Sequence, residues 1–188
     1  MKYFILSISV LIIPFTLYAS NDVLPSSKGT TQTVINGHTL PPEPDPNINN
    51  STLLGIDSNN NGVRDDVERW IYKTYKDKHP IHIDIAMQGA KEKQKIIFNP
   101  LEAKTEHNTT VSALYCESYF AICIDKAMEY AIDERINGGK LKQIIFNTLE
   151  RKEQNRKYHQ LISGHSYSLP WCNESKTYCD FNTSKYEG

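Results

Sequence analysis

The 188-residue chain is 39% hydrophobic and 23% charged, with 21 Lys+Arg against 22 Asp+Glu and a formal net charge of −1. That length suits one domain with tails and a core of its own. The charge balance argues against a basic nucleic-acid-binding surface and against an acidic disordered chain, and a mean hydropathy of −0.52 argues against several membrane spans.

The chain opens with an apolar run, Tyr3 to Tyr18, between Met1-Lys2 and Ala19-Ser20-Asn21-Asp22. A short positive start, an apolar stretch and a small residue before polar sequence predict a signal peptide over residues 1–19. Export to the periplasm or the outside follows, with no membrane span left after cleavage. Residues 20–50 are polar and Pro-rich and finish in Leu40-Pro41-Pro42-Glu43-Pro44-Asp45-Pro46. They predict a flexible linker and an extended arm, not a helix or a central strand. A domain over residues 51–188 is expected to follow.

Four helices are predicted in that domain. Val67, Trp70, Ile71 and Tyr75 share one face of a first helix from Asp65 to near Asp77. Pro80 in a first turn and Asn99-Pro100 as a stop bound the second. The third spans about Thr110 to Ile136, with Cys116, Tyr119, Phe120, Cys123, Ala127 and Tyr130 on one stripe, and ends at Asn137-Gly138-Gly139. The fourth carries Leu141, Ile144, Ile145 and Leu149 and reaches Leu161. With no convincing strand, the expected fold class is all-α: a small disulfide-tied bundle of about four helices with an extended Pro-rich arm.

Four cysteines in an exported chain predict disulfides. In a continuous helix Cys116 and Cys123 lie about 10.5 Å apart along the axis, too far to bridge each other. Both therefore pair with the tail. Cys116–Cys172 with Cys123–Cys179 is the favoured order, the crossed order being the alternative. A four-cysteine zinc site has the wrong spacing.

Residues 57–68 read Asp-Ser-Asn-Asn-Asn-Gly-Val-Arg-Asp-Asp-Val-Glu. This resembles the EF-hand calcium loop, D-x-[DN]-x-[DN]-G-x5-E, at every specified position. Alternate residues of such a loop point oxygens at a hard cation. The resemblance implies that Asp57, Asn59 and Asn61 serve loop positions 1, 3 and 5, and that Val63 offers its backbone carbonyl at position 7. Asp65 at position 9 binds directly or through water, Glu68 closes the site with both oxygens, and Gly62 permits the turn. Two features depart from the family. Residues 47–56 are too short and turn-rich for a full incoming helix, and position 8 is Arg64 where an aliphatic side chain ordinarily meets a partner loop. The loop is similar to the lone, dockerin-like calcium loops of secreted bacterial proteins more than to a paired sensor. The competing explanation is a capped turn, with Asp65 as N-cap and Glu68 three residues on.

Other signals are weaker. The six histidines form no His-Glu-x-x-His pattern, and no nucleophile elbow or phosphate-binding loop is present. Glu117, Asp125, Glu129 and Glu134 read as a solvated helix face. Tyr167, Trp171, Tyr178 and Phe181 in the tail suit either a cover over the helices or a partner surface. Asn49, Asn50, Asn108, Asn173 and Asn182 lie in glycosylation sequons. The function these features suggest is an exported calcium-binding interaction module, not an enzyme, with another envelope or secreted protein as its partner; an inhibitor or immunity protein is a narrower form. The alternative is a secreted or periplasmic hydrolase of cell-envelope material, which a cleft holding a buried Glu or His of perturbed pKa would favour.

Overall fold

A computed structural model describes residues 32–105, 111–131 and 139–188. Among these the structure is helical apart from one two-stranded hairpin, as the all-α reading requires. The signal peptide, the start of the linker, Asn108 and Glu134 lie outside the described residues.

The second half of the linker is ordered, which corrects the flexible arm. β1 (Val34–Ile35) and β2 (His38–Thr39) pair antiparallel across Asn36-Gly37, whose φ values of 51° and 78° suit a tight hairpin turn. Leu40 is buried, and Arg69 donates to the Pro41 carbonyl at 2.6 Å and pairs with Glu43. α1 (Pro46–Ser51) also lies where no helix was expected. Its first residue is Pro46, a position that needs no N–H, and Asp45 caps it by accepting from the amides of Asn47 and Ile48.

α2 (Asp65–Tyr75) and α3 (Ile81–Phe98) fall where the apolar spacing puts them. Val67, Ile71 and Tyr75 of α2 join Ile81, Ile85, Phe120, Leu141 and Ile145 in one core. α4 (Pro100–Thr105) starts after Asn99, whose side chain accepts from the amides of Leu101 and Glu102.

The third predicted helix is shorter. α5 (Ser112–Ser118) widens into a π-helical turn over Tyr119–Cys123, and Asp125 adopts a left-handed φ of 58° before helical residues 128–131. The fourth divides into α6 (Lys140–Ile145) and α7 (Leu149–Leu161), because the Thr148 hydroxyl accepts from the Arg151 amide and starts a new helix.

In the tail, α8 (Cys172–Ser175) leads into 3-10 turns at Lys176–Tyr178 and Thr183–Tyr186. Both bridges run to the tail, but in the crossed order: Cys116–Cys179 and Cys123–Cys172. The favoured order is thus corrected. The tail runs antiparallel to α5, and Gln88 of α3 fixes it there. The Gln88 amide donates to the Tyr178 carbonyl at 2.7 Å and accepts from the Asp180 amide at 3.2 Å, gripping the two residues that flank Cys179. The same amide reaches the Ser112 hydroxyl at the start of α5, so Cys179 is held at the Cys116 end. Two disulfides are the chemistry of an oxidising environment. Among the described residues no helix is long and apolar enough to cross a membrane.

Candidate metal centre

The approach to the loop is built without a full incoming helix. Arg151 of α7 is fully buried and donates to the carbonyls of Asn49, Thr52 and Leu53, acceptors left open in and after the last turn of α1. Arg64 enters from the other side, also buried. Its guanidinium donates to the carbonyls of Ile144 and Ile145, where α6 finishes, and pairs with Asp66. Gly55, at φ +74°, sits between the two arginines: a Cβ there would lie 2.9 Å from Nη2 of Arg151 and 2.7 Å from Oδ1 of Asn49. That Asn49 oxygen accepts from the Ile56 amide at 2.9 Å, and the Ile56 carbonyl accepts from the Asp65 amide at 2.8 Å, closing the neck of the loop. Arg64 therefore turns inward and fastens residues 57–68 to α6.

Inside the neck the side chains converge. Asp57 accepts from the amides of Asn61 (3.2 Å) and Gly62 (2.9 Å), with Gly62 at φ +85°. Asn59 Oδ1 also accepts from the Asn61 amide, and Asn61 Oδ1 accepts from the Val63 amide at 2.8 Å. The side-chain nitrogens of Asn61 and Asn59 both donate to Oε2 of Glu68, at 2.7 and 3.1 Å. Glu68 is wholly buried, and its Oε1 lies 2.6 Å from Nε2 of His38. Asp65 accepts from the Ser58 amide at 2.9 Å. Burial holds the Asp65 carboxyl above its ordinary range against that hydrogen bond, and the charges of Asp57 and Glu68 push the same way.

The capped-turn explanation asks Asp65 to be the N-cap. Instead Arg64 occupies that position and makes no side-chain cap bond, while Asp65 is already helical and turns to the loop. Val63 has its side chain in the core and its amide on Asn61. Among the described residues, no three side chains drawn from His, Cys, Asp and Glu alone gather closely enough to hold an ion. The convergence depends on the two asparagines, whose Oδ1 atoms are hard donors of the kind calcium takes.

Sequence reasoning missed His38, Asn49, Gly55 and Arg151. A signal for the first was present, since Asn36-Gly37 after Val34-Ile35 is a hairpin turn, but the surrounding prolines hid it. His38 stacks on Tyr72 with ring centroids 4.2 Å apart, and burial is the main cause that pushes the Tyr72 phenol up to about 12.

A second region meets the criterion set for an enzyme. A cavity of about 300 Å³ is lined by Glu92 of α3, Glu117 of α5, and Tyr158 and His159 of α7. Burial pushes the Glu92 carboxyl up to about 6. Its Oε1 accepts from the Ser112 hydroxyl and from the Ala113 amide, so Glu92 caps the start of α5, where Val111 has no capping side chain. Of the suggested acidic face, Glu117 is buried and Glu129 pairs with Lys78. In the tail, Tyr167, Leu169 and Trp171 are 54%, 45% and 82% exposed.

No protein-family model, curated protein or solved structure matches this chain.

Proposed function

We propose that this is an exported calcium-binding helical protein, with a structural EF-hand-like site formed by Asp57, Asn59, Asn61, Val63, Asp65 and Glu68. It acts as a non-enzymatic interaction module in the periplasm or outside the cell. The observation that carries the reading is Glu68, a wholly buried carboxylate reached by two loop asparagines and accompanied by Asp57 and Asp65 in the same turn. A hard cation satisfies that oxygen set better than hydrogen bonds among its members do. Three carboxylates put the affinity in the range of extracellular modules, about 10⁻⁴–10⁻³ M. The two disulfides support export, and the exposed Tyr167, Leu169 and Trp171 offer a surface for another envelope or secreted protein. An inhibitor or immunity protein is the narrower form of this role.

The test is thermal unfolding of the oxidised protein in EDTA and in about 5 mM Ca²⁺, with Mg²⁺ as control. Calcium alone raises the Tm, and Glu68→Gln abolishes the rise. Equal melting in both buffers rejects the site. A second reading, a hydrolase of cell-envelope material, rests on Glu92 and its cavity. Turnover of envelope polymers that is lost in Glu92→Gln with the fold intact would favour it; the cap on α5 already accounts for the burial of that carboxyl.

A further inference from the structure

The arm that precedes the domain is fastened along α2. Asn36 donates to the Lys76 carbonyl just past the helix, His38 stacks on Tyr72 and meets Glu68, and Pro41 and Glu43 engage Arg69. Of these contacts only His38 touches a residue of the proposed cation site. We infer that His38 is the positioning residue for Glu68, and that calcium binding and docking of the β1–β2 hairpin are thereby linked. The inference rests on the calcium reading of loop 57–68.

The two oxygens of Glu68 have separate partners. Oε2 takes both asparagine amides, whereas Oε1 takes His38 Nε2 at 2.6 Å. An ion needs the oxygens of Asn59 and Asn61, so those amides rotate and release Oε2 to the ion. The His38 contact can persist, because a carboxylate oxygen has a lone pair on its outer side as well. It then fixes the rotation of a carboxylate that must present both oxygens to one point. The ring is itself held by the stack on Tyr72, one turn beyond Glu68 on the same helix face. A partner of this kind changes metal affinity by about 10–100-fold. Linkage is reciprocal, so calcium tightens the hairpin on α2 by the same factor.

The experiment compares wild type, His38→Ala and His38→Gln by calcium calorimetry and by amide hydrogen exchange of residues 34–40 with and without Ca²⁺. His38→Ala weakens calcium by about 10–100-fold, and His38→Gln, which keeps a donor, recovers part of the loss. Calcium slows exchange in the wild-type hairpin and leaves that of His38→Ala unchanged. Wild type that binds calcium, beside a His38→Ala variant that binds equally or more tightly, overturns the inference alone. Wild type that binds no calcium overturns the underlying reading as well, and that outcome is visible before any variant is compared.

Discussion

Arg64 lies against Gly55 on the side where any other residue would carry its Cβ. A glycine in the turn and an arginine nine positions later together hold the entry to residues 57–68. Between them they fix where residue 57 begins the loop.

Alanine at Gly55 therefore meets two costs. A positive φ of 74° strains an L residue by about 1–2 kcal/mol, and the new methyl displaces the arginine that holds the end of α6. A total near 3 kcal/mol is expected, read as a lowered urea midpoint with an unchanged slope. Gly37→Ala is the control: φ is +78° but nothing lies within 4 Å, so only the backbone cost of about 1 kcal/mol applies. Equal losses at the two sites would mean that the arginine moves aside freely.

Asn59→Asp separates the folded loop from the loaded one. It replaces a donor to Glu68 with a like charge, so the protein in EDTA melts lower, by a loss of about 1–2 kcal/mol. On the proposed calcium site a fourth carboxylate tightens the ion about tenfold, so the rise in Tm on adding Ca²⁺ is expected to be larger than in wild type. A variant that is weaker in both buffers by the same amount would count against position 59 as a ligand.

Glu92 makes stability depend on pH in an unusual direction. Its pKa is about 6 in the folded protein against an ordinary 4.5, so folding takes up a proton between those values. The contribution is complete below pH 4.5 and is lost as pH rises through 6; its size is roughly 2 kcal/mol. Glu92→Gln lacks this titration. The variant is accordingly the more stable of the two at pH 7.5, and the gap closes by pH 4.5 in paired denaturation curves.

Gln88 holds both residues that flank Cys179, and is expected to set the bridge order. Digestion after Glu117, Glu150 and Glu174 places the four cysteines on separate peptides, so pairing is readable by mass. Refolded wild type gives Cys116–Cys179 and Cys123–Cys172 alone. Gln88→Ala, with the grip on Tyr178 and Asp180 gone, gives a detectable fraction of Cys116–Cys172. An unaltered pattern would transfer the control of pairing to other tail contacts.

Much of the helical frame was legible because apolar spacing is a local signal. Val67, Ile71 and Tyr75 mark α2 whatever surrounds them. The division between α6 and α7 was not, since Leu141 to Leu149 keeps its period across a threonine that prefers to cap. Alternating Asp and Asn single out residues 57–61 in the sequence, whereas the residues that support them carry no such pattern. Arg151 contacts Asn49 from 102 positions away, and Gln88 reaches Tyr178 from 90. Such partners are chosen by packing, which leaves no trace in a sequence window. The ordered arm was misread for the opposite reason: its prolines suggested mobility, yet Pro46 begins a helix and the Pro41 carbonyl anchors Arg69.

The two bridges are nested, with Cys123–Cys172 inside Cys116–Cys179. Tension applied between residues 32 and 188 crosses from Cys116 straight to Cys179 and never enters the chain between them. α6, α7 and α8 are thus shielded from stretching while the outer bond is intact. Reducing that pair and the one within it releases 63 residue spacings at once, about 220 Å of extra contour length.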